Sequence, residues 1–266
     1  MNRIAGAFSK GKAFIGFITG GDPSIEKSEA YILAMIRSGA DLVEIGIPFS
    51  DPIAEGPVIQ AANIRALSAG TTVEKIFGLA ESVRRRLRNE TPERAETPLV
   101  FLTYLNPVFC YGYDAFFARC ARTGVDGLII PDLPFEEQGE VKAAAAPHGV
   151  SIISLIAPTS RERTKAIAEN AQGFVYLVSS MGVTGIRGEI NAGLSSMIAA
   201  VKASAAVPLA VGFGIHTPAQ AADIARFADG VITGSAIVKM IGEDPAGAEE
   251  RIAAYVKTMK AAVMSV

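Results

Sequence analysis

Two acids stand out in the run LVEIGIPFSDPIAEGPVIQ, residues 42 to 60. Glu44 interrupts an apolar, strand-like segment, and carboxylates are rare in such places unless paired or functional. Glu55 follows in a loop stiffened by Pro48, Pro52 and Pro57. If the segment is a strand, Val43, Ile45 and Ile47 share one face, and Leu42, Glu44 and Gly46 share the other. A buried carboxyl needs a cation, or it stays neutral. None of the strand-like runs of this chain contains Lys or Arg. Burial would then raise the pKa of Glu44 and favour the protonated acid, as suits a general acid. An acid on a loop is often simply solvated. For Glu55, solvation and catalysis stand side by side at this level.

Other chemistries are narrowed by what is missing. Without a strand lysine there is no Schiff-base nucleophile. The two histidines, His148 and His216, lie at a helix end and after a strand, and no His, Cys and carboxylate group has metal-ligand spacing. Asp22 and Asp132 each stand alone near a strand end. No metal is expected from these residues. Cys110 and Cys120 have no histidine placed to activate them and read as reduced structural thiols. What remains is proton transfer by carboxylates.

The elements that must position these acids recur along the whole chain. Eight short apolar runs read AFIGFIT, LVEIGIP, PLVFLTY, GLIIP, SIISLIA, FVYLVSS, PLAVGFGI and GVITGSA. Each is bounded by Gly, Pro or Asp and followed by a helical pattern. The helices are expected over 25–37, 58–88 in two pieces, 113–122, 136–145, 161–170, 193–203, 218–227 and 246–263. Such alternation implies parallel strands joined by crossover helices. Eight units in 266 residues predict an α/β fold, a (β/α)8 TIM barrel with extra helices, as a single domain over residues 1–266. A doubly wound sheet would want a GxGxxG turn after the first strand, and TGGDPS does not supply it. In a barrel, Glu44 points inward near the carboxyl end of its strand, where barrel enzymes keep their chemistry.

Three glycine-rich turns, MGVTGIRGE, GFGIHTP and TGSAIVK, follow the last three strands. In barrels such loops meet the N-terminus of a short helix and bind phosphate through backbone N–H groups. GSAIVKMI is expected to be that helix, with Ser235 as its cap and a hydroxyl donor. Gly185, Gly214 and Gly234 would let backbone approach the phosphate. Phe17, Leu102, Tyr104, Ile129 and Tyr176 fall at the inward mouth positions, a lining for a flat apolar ligand with a polar edge or simple filling of the barrel.

Half of the residues are hydrophobic, and 25 basic against 27 acidic residues leave a net charge of −2, with no general pull toward nucleic acid or anionic lipid. The cluster Arg84–Arg86 with Arg88 reads as a solvated helix end. No apolar stretch is long enough to span a bilayer, and the N-terminal run lacks a signal-peptide pattern, so a cytoplasmic enzyme is expected.

The segments FITGGDP, VEIGIPFSDPIAEGPVIQ, TYLNPV, GVDGLIIPDLP, YLVSSMGVTG, VGFGI and GSAIVK, in this order, resemble the tryptophan synthase alpha subunit family over essentially the whole chain. The resemblance implies a lyase that cleaves indole-3-glycerol phosphate to indole and glyceraldehyde 3-phosphate, with no metal or cofactor of its own. Glu44 matches the catalytic glutamate that protonates indole C3. Glu55 falls where the family usually has an aspartate facing the indole N–H. Phe17, Leu102, Tyr104, Ile129 and Tyr176 match indole-pocket positions, Thr184 a mobile loop, and Gly185, Gly214, Gly234 and Ser235 the phosphate site. It also implies a partner, the pyridoxal-phosphate-dependent beta subunit, in an alpha2-beta2 complex. The loops at 48–57 and 106–111 would form the docking surface. Two departures stand out: Glu55 is longer than the usual Asp by one methylene, and Ser180 replaces a common Arg. Two rival readings remain. One is another phosphate-binding barrel enzyme of the same pathway. The other is a phosphate-binding barrel that mainly activates a partner.

Overall fold

The β-branched runs pair in chain order into one closed barrel of parallel strands. They are β1 (Ala13–Thr19), β2 (Leu42–Gly46), β3 (Leu99–Leu102), β4 (Gly127–Ile129), β5 (Ser151–Ile156), β6 (Val175–Val178), β7 (Leu209–Gly212) and β8 (Gly230–Thr233). Ile15↔Leu42 and Phe17↔Glu44 set the register of the first pair, and Ala13↔Gly230 opens the pairing of β1 with β8 that closes the ring. The computed structural model describes residues 3–157, 161–178, 192–212 and 214–266.

The expected helices form as α2 (Ile25–Arg37), α3 (Pro57–Ser68), α4 (Val73–Glu90), α6 (Tyr113–Thr123), α7 (Gln138–Ala145), α8 (Arg161–Glu169), α9 (Ala192–Ser204), α10 (Pro218–Ala225), α11 (Ser235–Glu243) and α12 (Ala248–Val263). Local chemistry sets several starts. The Ser24 and Thr72 side chains accept from the N–H groups of Lys27 and Lys75, and Thr217 with Gln220 forms a capping box at α10. Two further helices are α1 (Arg3–Ala7) and α5 (Leu105–Tyr111). The first is one turn long. The second was expected as loop; it starts where the Asp132 carboxylate accepts from Leu105 N–H at 2.9 Å, a cap that comes from another part of the chain.

Two apolar layers follow from the strand alternation. Val43, Ile45 and Ile47 pack outward with the helices, in the large shell that holds Tyr31, Phe77 and Phe101. Leu42, Val100, Ile129, Ile153, Tyr176, Ala210 and Ile232 fill the interior. Ile4 of α1 joins that inner cluster. The barrel is therefore a filled core, with its side chains stacked between the two ends.

The helix end at Arg84 is not the solvated cluster that the sequence suggests. Arg84 is 3% exposed, not solvated: it donates to Asp126 at 2.6 Å and to the carbonyl of Gly124 at 2.9 Å. Asp126 immediately precedes β4, so this pair lies at the end of the barrel where strands begin. Both cysteines are free; Cys120 is buried in the core, whereas Cys110 is exposed and its thiol donates to Asn106 Oδ1 at 3.5 Å.

Candidate active site

A cavity of about 860 Å³ opens at the carboxyl end of the strands. Phe17, Glu44, Glu55, Leu102, Tyr176, Gly214, Gly234 and Ser235 all line it, which gathers residues from β1, β2, β3, β6 and the loops after β2, β7 and β8. Glu44 is the middle residue of β2, and its side chain takes the inner face beside Phe17, its register partner.

Glu44 is fully buried, and among the described residues neither carboxyl oxygen has a hydrogen-bond partner. Desolvation raises its pKa from 4.5 to about 8. A neutral carboxyl can be kept in such a place, whereas an isolated carboxylate is strongly disfavoured. At neutral pH the group is therefore mostly protonated and able to donate. Tyr176 stands near it, and its hydroxyl is held well above its ordinary pKa by burial and by the Glu44 charge. The tyrosine ring presses on β7: a Cβ added at Gly212 would meet the Tyr176 hydroxyl at 2.5 Å.

Glu55 is half-buried at the cavity wall. Burial raises its pKa, opposed by the Tyr104 hydroxyl and by the backbone N–H groups of Glu55 and Ala54, which favour the charged form. Its carboxylate accepts from the Tyr104 hydroxyl. It thus folds back toward the backbone of its own loop.

The far end of the cavity is built from the turns after β7 and β8. Gly214 adopts φ +75°, a left-handed conformation that suits glycine, and its carbonyl contacts the His216 ring at 2.8 Å. Ser235 and Ala236 open α11 onto the cavity. Ser235 is not the cap: Gly234 occupies that position and Ser235 is the first helical residue. The first residues of α11 thus line the cavity end, and a helix N-terminus, with its free N–H groups, attracts an anion.

Tyr104 and Ile129 are brought to the same barrel end but stand apart from the cavity surface. Ile129 is fully buried in the inner cluster, and Tyr104, 2% exposed, reaches the site through its hydroxyl. Thr184, Gly185 and Ser180 lie outside the described residues. Of the two lone aspartates, Asp22 is held by the Arg65 guanidinium at 2.8 and 2.7 Å, and Asp132 caps α5. Among the described residues no group of three or more His, Cys, Asp and Glu side chains could hold a metal, and no helix is long and apolar enough to cross a membrane.

Sequence reasoning did not assign five polar lining residues to the site: His216, Lys239, Glu243, Arg251 and Tyr255. Arg251 and Tyr255 belong to α12, far from any motif, and only the closure of the barrel brings them here. The Tyr255 hydroxyl donates to the His216 carbonyl at 3.1 Å and so ties α12 to the turn after β7.

The geometry has counterparts among known proteins. A family model for the tryptophan synthase alpha chain matches residues 6–264. The tryptophan synthase alpha chain of Lacticaseibacillus casei is 48% identical over 99% of this chain and 96% of its own length. That of Geobacter sulfurreducens is 45% identical over 99% of each chain. Among solved structures, tryptophan synthase subunit alpha from Legionella pneumophila str. Paris superposes with a TM-score of 0.88 at 37% identity, covering 100% of both chains. A tryptophan synthase structure from Mycobacterium tuberculosis gives 0.86 at 36% identity, covering 98% of both. Because that family model spans nearly the whole chain and the relatives match it over almost their full lengths, this chain belongs to the tryptophan synthase alpha chain family.

Proposed function

We propose that Glu44 moves the proton and Glu55 holds the developing charge in a carbon–carbon lyase that needs neither metal nor cofactor of its own. The reaction is cleavage of indole-3-glycerol phosphate to indole and glyceraldehyde 3-phosphate, a step of tryptophan biosynthesis. The observation that carries the assignment is the buried, unpartnered Glu44 carboxyl on the cavity wall, with its pKa raised to about 8.

In this reading, Glu44 delivers its proton to indole C3. The ring becomes a cationic indolenine, and the charge is shared with the ring N–H, which the Glu55 carboxylate faces. The bond between C3 and the glycerol chain then breaks. Its electron pair returns to the ring and restores indole, while the adjacent hydroxyl loses its proton and becomes the aldehyde. The Glu44 carboxylate, now charged in a poorly solvated place, is a strong base for that proton, so the same group can close the cycle. Phe17, Leu102 and Tyr176 supply apolar walls for the ring, with Ile129 beneath them. The phosphate is assigned to Gly214, Gly234, Ser235 and the start of α11; the resemblance adds Gly185 to the phosphate site and Thr184 to substrate binding.

The chain is read as one barrel domain over residues 1–266, working in the cytoplasm. Its partner is the tryptophan synthase beta subunit, in an alpha2-beta2 assembly. Ile53, 79% exposed, and Phe109, 64% exposed, stand on the loop after β2 and on α5, and apolar side chains so exposed suit a docking face.

The direct test is release of indole from indole-3-glycerol phosphate by the 266-residue chain, alone and with a beta subunit. The chain has no Trp, so its own background in such an assay is tyrosine only. Slow cleavage that the partner accelerates is expected. Ligand binding with no cleavage under either condition would replace the lyase reading with that of a binding and activating barrel.

A further inference from the structure

The Tyr104 hydroxyl uses its full hydrogen-bonding capacity on one loop. It accepts from the N–H of Ile53 at 3.0 Å and of Ala54 at 2.9 Å, and it donates to the Glu55 carboxylate. A phenol has one proton to give and two lone pairs to fill, and all three are engaged here. The ring is fixed as well. It is buried and stacks on Phe49 with centroids 5.1 Å apart, so a side chain anchored beyond the end of β3 grips the loop that leaves β2. Ile53 on the same loop is largely exposed, so apolar packing of that side chain does not hold the segment down.

We propose that Tyr104 is the positioning residue of Glu55: its hydroxyl couples the carboxylate to the backbone of the loop and holds the longer acid folded back against the cavity wall. The proposal rests on the catalytic reading of Glu55 given above. It changes the part expected of Tyr104, which contacts the site through its hydroxyl and not as a wall of the indole pocket. It also explains how a glutamate serves at this place. The additional methylene would carry a free side chain roughly 1.5 Å further into the cavity, and the bond to Tyr104 draws it back. The donated bond favours the ionised form of Glu55, against the burial of the site and the nearby charge of Asp132.

A double-mutant cycle tests this on the 266-residue chain, with Tyr104→Phe and Glu55→Gln alone and together. The phenylalanine keeps the ring stacked on Phe49 and removes only the hydroxyl. Tyr104→Phe is expected to lower kcat/KM for indole-3-glycerol phosphate cleavage about tenfold, the scale of a hydrogen bond to a charged group. In the Glu55→Gln background it is expected to cost less than twofold, because the group it acts through is gone. The acid limb of the pH–kcat/KM profile should move to higher pH in Tyr104→Phe, since the ionised carboxylate has lost its donor. Equal losses in both backgrounds, with Glu55→Gln itself impaired, would overturn the proposal and leave the catalytic reading standing. Unimpaired turnover in Glu55→Gln would overturn both. Amide exchange supplies a readout that does not depend on the variants folding. The N–H groups of Ile53 and Ala54 should exchange slowly in the wild-type chain, and exchange as fast as an open loop would also overturn the proposal.

Discussion

Asp126 and Glu44 are both buried carboxyl groups on neighbouring parts of one barrel, and their surroundings are opposite. Asp126 sits just before β4, where Arg3 donates at 2.8 Å, Arg84 at 2.6 Å and the Leu99 N–H at 2.9 Å. Glu44 sits within β2 and faces the carboxyl-end cavity with no partner among the described residues. At the lower end, burial pulls Arg84 down to about 10, while the Asp126 charge opposes that fall. The pair keeps its charges because each stands against the other. At the upper end nothing compensates the charge, so the carboxyl keeps its proton. One end of the fold uses an acid to join α1, α4 and the β3–β4 edge; the other keeps an acid ready to give a proton away. A buried carboxyl is thus read by its partners, not by its burial.

The largest expected effect breaks the paired end. Asp126→Ala leaves the Arg84 guanidinium, the Arg3 guanidinium and the Leu99 N–H without their shared acceptor. Removing one partner of a buried pair costs about 3–5 kcal/mol. Urea unfolding should show that loss, while kcat of the folded fraction stays within about twofold of wild type. Unchanged stability would mean that water reaches Arg84 and that the lower end is not the closed structural site described above. Reduced kcat at full folding would break the division between the two ends.

The second effect belongs to the unpaired end. Glu44→Gln keeps the shape and removes the transferable proton, so kcat should fall by ~10²-fold or more. Binding of a non-cleavable indole phosphate analogue should persist. In the wild-type chain, kcat/KM should also decline above pH about 8, where Glu44 loses its proton. A variant with near-normal turnover would remove Glu44 from the chemistry.

A third effect, spread over several pH units, sharpens the contrast through stability. The Glu44 pKa is raised in the folded chain, from an ordinary 4.5 to about 8. Between those values the folded state holds a proton that the unfolded state has released. Stability therefore falls with rising pH across that window, by roughly 1.4 kcal/mol per pH unit from this group. Glutamine has no such dependence. Thermal melts should find wild type and Glu44→Gln similar near pH 4.5, with the variant increasingly the more stable toward pH 8. Parallel curves would mean that Glu44 is charged in the folded chain and has a cation that the described residues do not reveal.

Much of this contrast is legible in the sequence. The runs around Glu44 carry no Lys or Arg, so an inward, unpaired acid followed from strand periodicity alone. The barrel followed from the regular succession of short apolar runs and helical segments. Other features depend on contacts that periodicity does not encode. Arg84 looked solvated because its neighbours Arg85, Arg86 and Arg88 are charged, yet the helix face turns it alone toward Asp126. Helix α5 went unread because its cap, Asp132, comes from beyond β4. Ser235 was assigned the capping position on residue type, whereas the backbone gives that place to Gly234. The role of Tyr104 was hidden for the same reason: its partners are loop backbone groups 50 and 51 residues away.

The smallest expected effect concerns the cations at the cavity mouth, a third way for this fold to treat charge. Lys239 and Arg251 line the end assigned to phosphate, and both turn toward Glu243, at 3.7 and 3.2 Å. All three side chains are close to half exposed or more, so solvent screens each contact. The backbone N–H groups at the start of α11 are fixed, whereas these long side chains must surrender rotamer freedom to meet an anion. Replacing both Lys239 and Arg251 by Ala should therefore raise KM for the phosphate substrate only about two- to fivefold, leave kcat in place, and lose its effect as salt is raised. A loss of a hundredfold or more that persists in high salt would show that the side chains, not the helix end, hold the phosphate. It would also make the upper end a paired site after all, with the substrate supplying the anion that Asp126 supplies below.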